Sequence, residues 1–549
     1  MLREILKHEI VEAVKKLFDK EVDFGVFCGD KHADYSSNAA MVLGNPKETA
    51  DKIKEELLKS ETVHNYCSKI EIAGQGFLNF FIKDNVFIKN IGDILKAKEK
   101  YGSNNSLEGK KIMIEYTDPN PFKEFHIGHL MSNTIGESIA RLFEAQAAIV
   151  KRACWQGDVG LHVARAIWGK LQKPEMGWGE AYVYGTLNYE NNKEEIEGIN
   201  KKIFLRSDEE INELYKKGRE ESLEHFEEIY KILGTKFDYY FFEGKEGIDG
   251  KPIVEEFLKK GIFEESDGAI VFRGEKYGLH TRVFINSQGL PTYEAKELGL
   301  NKAKFDKESE LEQSIIVTAN EQSDYFKVVL KTMEQIFPDI AKKTKHIAHG
   351  ILRFASGKMS SRKGNVITGE SLIERVKKLA FGKIKERDFS KQEKEKIAEV
   401  AAVGAIKYSI LKQAIGGDIV YDFDKSISFE GDSGPYLQYA YVRAKAVLKI
   451  AREKGIEKTT SAENIEITEV EKILYQFPEI VEDAREKYAP NYICAYLVSL
   501  AHAFNSYYEK FKIISNETES SYRISLTEAV AITLKNGLHL LGISAPEKM

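Results

Sequence analysis

A chain of 549 residues exceeds what one hydrophobic core supports, and at roughly 150 residues per domain three or four domains are expected. Hydrophobic residues make up 42% and charged residues 30%, with only 11 prolines, which excludes wholesale disorder and collagen-like or low-complexity architecture. Lys and Arg number 80 against 86 Asp and Glu, a net charge of −6, so bulk charge advertises no partner and any nucleic-acid contact must come from a local patch. The four cysteines, Cys28, Cys67, Cys154 and Cys494, form no CxxC pair, which points away from a disulfide framework or a structural zinc site and toward a reducing compartment. The N-terminal stretch carries charges every few residues, and no run of 18 apolar residues occurs, so a cytoplasmic protein without a membrane partner is expected.

Residues 1–108 read as a small α+β unit. It opens on a helix with Leu6, Ile10, Ala13 and Leu17 on one stripe, continues with a helix near Glu48–Lys59, and reaches two strands and a turn across Ile70–Ile82, interrupted by Gly74 and Gly76. The Gly/Ser/Asn-rich stretch Lys100–Lys110 reads as a linker. Lys111–Tyr116 is a short buried strand running into a polar loop, Thr117–Phe125, and a helix from about Ile127 to Phe143. Strand, loop and helix open a doubly wound α/β unit, with a second strand at Ala148–Ala153.

Glu195–Leu233 is helical, with Ser207–Glu210 as a capping box and Ile211, Leu214, Phe226, Ile229, Tyr230 and Leu233 as its apolar stripe. Strand signals return at Ala269–Phe272 and Ser314–Thr318, and the interval at about 180–265 reads as an insertion between two halves of the sheet. From about Glu370 onward helices dominate. The stripe Ile493, Tyr496, Leu497, Leu500, Phe504 and Tyr507 reads as core, and no internal repeat is evident.

Two segments carry chemistry. His126-Ile127-Gly128-His129 sits where the loop meets the helix, and a helix N-terminus favours phosphate. Gly128 lets a ligand lie against the backbone, and two imidazoles three residues apart share a face. The second segment, Lys358-Met359-Ser360-Ser361-Arg362-Lys363-Gly364, combines cations, small hydroxyls and glycine in a phosphate-seeking loop. For either segment alone, an ordinary pair of histidines or a basic surface loop remains open.

Together and in this order they resemble the HIGH and KMSKS signatures of class I aminoacyl-tRNA synthetases. Glu115–His126 (EYTDPNPFKEFH) resembles the segment preceding HIGH in the arginyl-tRNA synthetase family. Trp155–Gly160, Thr292–Glu297, Gly434–Ala440 with Arg443, Leu541–Met549 and Gly76–Phe80 resemble further segments of that family, end to end along the chain. The resemblance implies a Rossmann-type catalytic domain at 109–375, with an N-terminal α+β domain at 1–108 touching the tRNA elbow. It also implies a helical connective region at 376–430 and a C-terminal helical anticodon-binding domain at 431–549.

The implied activity is arginine–tRNA ligation, with ATP and Mg²⁺, L-arginine and tRNA(Arg) as substrates and partners, no structural metal, a monomer, and activation that waits for bound tRNA. By the same resemblance His126, His129, Lys123 and Lys358 are catalytic. Gly128, Met359, Ser360, Ser361 and Arg362 join the ATP site. Glu115, Asn120 and Gln322 orient the amino acid, and Tyr293 and Glu297 face its guanidinium, a group that calls for planar, bidentate acceptors. Phe77, Asn79, Tyr436, Gln438 and Arg443 are the implied tRNA contacts, although residues 430–549 hold 14 basic against 17 acidic side chains. Glu297 stands where the family usually has Asp, Asp118 where it has Ser, and Lys296 where it has Arg. Three rivals remain: a class I enzyme for another amino acid, a non-catalytic tRNA-binding paralogue, and a nucleotidylyltransferase. The acidic pocket speaks against the first, the retained His126, His129 and Lys358 against the second, and the long helical C-terminal region against the third.

Overall fold

The computed structural model describes residues 1–29, 33–354, 368–460, 465–515 and 519–549. Five strands form a wholly parallel central sheet. Across it lie Thr344–His349, Leu311–Ala319, Lys111–Glu115, Ile149–Gln156 and Tyr239–Phe242. The strand first in sequence is central, and the chain winds outward from it in both directions. That arrangement leaves a crevice at the carboxyl ends of Lys111–Glu115 and Leu311–Ala319, where ligands bind in sheets of this kind. Helix Ile127–Glu144 covers one face and helix Tyr293–Lys307 the other. Ile112 and Ile114 pack toward the first helix, and Met113 packs with Leu300 on the second, as alternation along a strand requires.

The sheet corrects two expectations. The interval 180–265 is not wholly an insertion, because it contains Tyr239–Phe242, an edge strand of the central sheet. Ala269–Phe272 belongs instead to a separate antiparallel sheet with Glu264–Ser266 and Arg282–Ile285. Ser207 does not form the expected capping box. Its N–H closes the preceding helix on the Lys202 carbonyl, and the Asp208 carboxylate one residue on caps Glu209–Leu233 through the Ile211 N–H.

The N-terminal unit has its own core. Its antiparallel sheet runs Val26–Cys28, Tyr35–Ser37, Phe77–Ile82, Cys67–Ala73, backed by helices Leu2–Phe18 and Pro46–Leu57. Leu6, Ile10 and Ala13 are buried as expected, but Leu17 is 37% exposed because the last turn runs past the core; Leu2 and Val14 complete the stripe. By contrast, one hydrophobic cluster runs without a seam from Leu130 and Ile135 into Leu437, Leu497 and Leu534 of the C-terminal helices. The stripe from Ile493 to Tyr507 is buried throughout. Buried Lys407 donates to the Leu233 and Gly542 carbonyls at 2.6 and 2.8 Å, fixing the tail to the catalytic layer. The four cysteines are free, and among the described residues no helix is long and apolar enough to cross a membrane.

The N-terminal unit meets helix Glu469–Glu486 at Glu479. Its buried carboxylate accepts from the Arg3 backbone N–H at 3.0 Å, the Tyr35 hydroxyl at 3.1 Å and the Cys28 thiol at 3.2 Å. Arg3 also donates to both Asp483 oxygens at 2.8 Å. Removing an acceptor strands its buried donors. Glu479→Ala should therefore lower hydrogen-exchange protection of helix Leu2–Phe18 by about 3 kcal/mol while the central sheet keeps its own. Unchanged protection in that helix would exclude Glu479 as its anchor.

Candidate functional site

The crevice at the end of the first strand is shaped by a strained loop. Thr117, Asp118 and Phe122 all adopt left-handed backbone conformations, with φ of 83°, 48° and 68°. Each is pinned from outside the loop. Ser132 Oγ accepts from the Thr117 N–H at 2.9 Å, Asp118 Oδ1 accepts from the Trp155 N–H at 2.8 Å, and Ser222 Oγ accepts from the Phe122 N–H at 3.0 Å. The loop delivers His126 as the N-cap of Ile127–Glu144.

The two histidines form a reciprocal cap. His126 Nδ1 accepts from the Gly128 N–H at 3.1 Å, and His129 Nδ1 accepts from the His126 N–H at 3.2 Å. Their rings stack at 3.5 Å. A nitrogen that accepts a backbone N–H carries no proton, so the neutral rings hold their protons on Nε2. Burial, followed by the Lys123 charge, lowers the His126 pKa; burial, followed by His126 and then Lys123, lowers that of His129 well below the usual imidazole range. The pair thus offers two neutral Nε2–H donors. The imidazoles take the N–H groups of His126 and Gly128, so the rings add donors of their own at this helix end. Gly128 also makes room for His126, since a Cβ there would stand 3.0 Å from that ring.

Behind the loop lies a cluster of carboxylates. Glu115 is buried and pairs with Lys304 at 2.6 Å, both side chains almost wholly excluded from solvent. Neither the Glu115 Oε2 nor the Lys304 Nζ atom has a hydrogen-bond partner of good geometry among the described residues. Glu297 accepts from Asn301 Nδ2 at 3.0 Å, and burial and the Glu115 charge push its carboxyl up to about 8. Burial and the same Glu115 charge push half-buried Asp118 well above the carboxylate range. Glu243 pairs with Lys296 at 2.6 Å, and burial raises it despite that lysine. Four carboxylates here thus share two lysines.

Other expected residues are spread around a cleft of about 800 Å³. Asn120, Lys123 and His126 line it together with Thr368 and Tyr182. Asn120 Oδ1 lies so close to Gly157 that a Cβ there would be 2.3 Å away. Lys123 Nζ sits 5.0 Å above the Tyr182 ring. Tyr293 begins its helix and is 61% exposed. Gln322 is exposed on the turn after Leu311–Ala319, at the sheet's carboxyl edge. Lys358, Met359, Ser360, Ser361 and Arg362 lie outside the described residues. Among the described residues no group of three or more His, Cys, Asp or Glu side chains is arranged to hold a metal ion.

The expected RNA contacts fare unevenly. Gln438 is fully buried and donates to the Val400 and Ser544 carbonyls at 3.2 and 2.9 Å. Tyr436 is buried, with its hydroxyl accepting from Asn505 at 2.8 Å. Their helix packs hard on Lys391–Leu411, where a Cβ at Gly434 would stand 2.2 Å from the Gly404 carbonyl, so both residues are packing elements rather than a ligand surface. Asn79 is likewise buried and accepts from Ser36 Oγ at 2.7 Å. Phe77 and Arg443 are half-buried, Arg443 donating to Asn505 Oδ1 at 2.9 Å. Sequence reasoning missed Lys304 and Glu243. For Lys304 a signal existed: Glu297, Asn301 and Lys304 recur at helical spacing, three polar residues on a buried face.

Comparison with known proteins aligns with this geometry. Residues 90–423 match the family model of the catalytic domain of class I (R) tRNA synthetases. Residues 3–82 match that of the arginyl tRNA synthetase N-terminal domain, and residues 437–549 the DALR anticodon-binding domain. An arginine–tRNA ligase of Fusobacterium nucleatum is 33% identical, covering 96% of each chain. One of Clostridium botulinum is 30% identical over 99% of this chain and 100% of its own. The fold is also that of Thermus thermophilus arginyl-tRNA synthetase, with a TM-score of 0.83 at 24% identity over the whole of both chains.

Breaking a buried pair from one side leaves an uncompensated charge. Lys304→Met should cost about 3–5 kcal/mol in denaturant unfolding, and adding Glu115→Leu should recover most of it. An undiminished midpoint in the single variant would contradict the pairing.

Proposed function

The chain belongs to the class I (R) tRNA synthetase family, and from that premise we propose that it is an arginine–tRNA ligase. It joins L-arginine to ATP as arginyl-adenylate, releasing diphosphate, and passes the arginyl group to the 3′ end of tRNA(Arg), releasing AMP. The observation that carries this reading is the excess of buried carboxylates beside the paired imidazoles. Four carboxylates against two lysines suit a substrate with a guanidinium and an ammonium group and disfavour an apolar one.

The two Nε2–H donors of His126 and His129 are preorganised for the oxygens of the α-phosphate, where charge builds as the arginine carboxylate attacks. Neutral rings can do this without a proton leaving, and the caps at Nδ1 hold their orientation. Lys123 adds a cation at the cleft, and Lys358 with Ser360, Ser361 and Arg362 is assigned to the departing diphosphate. Mg²⁺ is assigned to the ATP phosphates, where it would neutralise charge. Asn120 and Gln322 are assigned to the α-amino and carboxylate groups, and Tyr293 and Glu297 to the guanidinium. The division into units at 1–108, 109–375, 376–430 and 431–549 completes the reading. So does a monomer acting in the cytoplasm, with Phe77 and Arg443 as the accessible members of the expected tRNA contacts.

Charging total tRNA with each of the twenty amino acids in turn, with ATP and Mg²⁺, tests the reading; arginine alone should be esterified. Charging by a different amino acid would discard the pocket assignment. His129→Ala should lower kcat by about 100-fold or more with little change in the KM for arginine, because its contact belongs to the transition state. The pH dependence has a defined sign. Glu297, held up at about 8 in the free pocket, must lose its proton to receive a guanidinium. The KM for arginine should therefore rise by up to about tenfold per pH unit below 8. Glu297→Gln should flatten that profile, and a wild-type KM constant between pH 6 and 8 would remove Glu297 from the pocket.

A further inference from the structure

A buried carboxylate that no step of the proposed reaction uses joins three parts of the molecule. Glu137 lies on helix Ile127–Glu144, about two turns beyond His129. Its Oε2 accepts from the Tyr116 hydroxyl at 2.6 Å and from Arg152 Nε at 2.9 Å. Its Oε1 accepts from Arg141 Nε at 2.7 Å and from Arg152 Nη2 at 3.2 Å. Burial works against the charge, yet Arg141 and then Arg152 hold the carboxyl below the usual carboxylate range. Glu137 is therefore ionised, and each bond it accepts is charge-assisted.

The donors come from different places. Tyr116 directly follows Glu115, and its buried ring is wedged against Gly136, where a Cβ would stand 2.2 Å from the ring. Arg152 belongs to the neighbouring strand, in register with Ile114. Arg141 faces away from the sheet: Nη1 donates to the His539 carbonyl at 3.0 Å and Nη2 to the Gly234 carbonyl at 3.1 Å. His539 stands in the last turn of helix Ser520–Leu540, whose Leu540 carbonyl also accepts from Ser138 Oγ at 2.8 Å. Hydrogen bonds thus run from the end of the C-terminal helix to the residue beside Glu115. Beyond Tyr116 the backbone turns left-handed at Thr117 and Asp118, a conformation that persists only where its surroundings over-determine it. Side chains alternate across a strand, so holding Tyr116 on one face turns Glu115 toward Lys304 on the other.

We propose that Tyr116, Glu137 and Arg141 are positioning residues for the arginine pocket, a clamp through which the last turn of the C-terminal helix fixes where Glu115 presents its carboxylate. The inference rests on the function proposed above, because Glu115 matters here as a group that orients the amino acid. The clamp acts on one substrate. ATP phosphates are assigned to His126 and His129, and the hydrogen bonds that cap those rings do not pass through Glu137.

The test uses the full-length enzyme, with charging rates measured against arginine and against ATP separately. Tyr116→Phe deletes one oxygen and keeps the wedge. Arg141→Lys keeps a cation beside Glu137, but a single ammonium cannot replace the fork that reaches Glu137, Gly234 and His539 together. Each variant should raise the KM for arginine about fivefold while kcat and the KM for ATP stay within about twofold. Because both act through Glu137, the double variant should raise the KM for arginine by clearly less than the product of the single effects. A purely structural role would instead lower the folded fraction, and with it kcat, at an unchanged KM. That result, or an unmoved KM for arginine in either single variant, overturns the clamp. Multiplicative effects in the double variant overturn the route through Glu137. In all these cases arginine charging by the unmodified enzyme leaves the parent function intact, and failure of the unmodified enzyme to charge arginine removes both.

Discussion

The buried pairing of Glu115 with Lys304 sets the electrostatics of everything around it. Glu115 ends the first strand of the parallel sheet, and Lys304 reaches it from the helix on the opposite side of the crevice. With that lysine committed, the Glu115 charge still acts on its neighbours, and burial together with that charge makes Glu297 and Asp118 hold their protons more tightly. Two carboxyls that resist ionising lie side by side in the cluster, and a nearby cation would favour their charged forms. A neutral side chain of similar size would not.

The imidazole pair obeys a related logic on the other side of the loop. A helix N-terminus ordinarily presents its own N–H groups to an anion. Here the N–H groups of His126 and Gly128 hold two side chains, and the His126 ring lines the cleft with the buried His129 ring stacked on it. The gain is reach and fixed orientation, since both rings are stacked and capped before any nucleotide arrives. The left-handed backbone at Thr117, Asp118 and Phe122 brings the carboxylate cluster and the imidazoles within one short loop of each other.

Much of this was legible in advance and some of it was not, for reasons specific to particular residues. His126, Gly128, His129 and Glu115 were legible because their order along a strand, loop and helix has few other uses. Lys304 was hidden because a lysine in a Lys-rich helix looks solvated until the sheet is laid over it. Tyr436 and Gln438 misled in the opposite direction. Their polar groups suggested a surface, but the close approach at Gly404 and Gly434 turns that helix face inward. The edge strand Tyr239–Phe242 escaped because four consecutive aromatic residues show no alternation from which a pleat can be read. The RNA-facing surface is the least legible part, since the same aromatic and amide residues serve packing and recognition equally well.

The junction at Glu479 has a consequence for how the molecule is made. Its hydrogen bond to Arg3 spans 476 positions along the chain. At ribosomal speeds of roughly 5–20 residues per second, the N-terminal unit is complete about 20 seconds to just over a minute before its acceptor exists. During that interval its own core must keep it folded, while Arg3, Cys28 and Tyr35 face water or a chaperone. The separate core of residues such as Ile10, Ile53 and Phe80 is what makes this wait tolerable. Helix Glu469–Glu486 then closes on the N-terminal unit before helices Asn491–Lys510 and Ser520–Leu540 are complete, so the oldest part of the polypeptide is joined to a late segment while synthesis still runs.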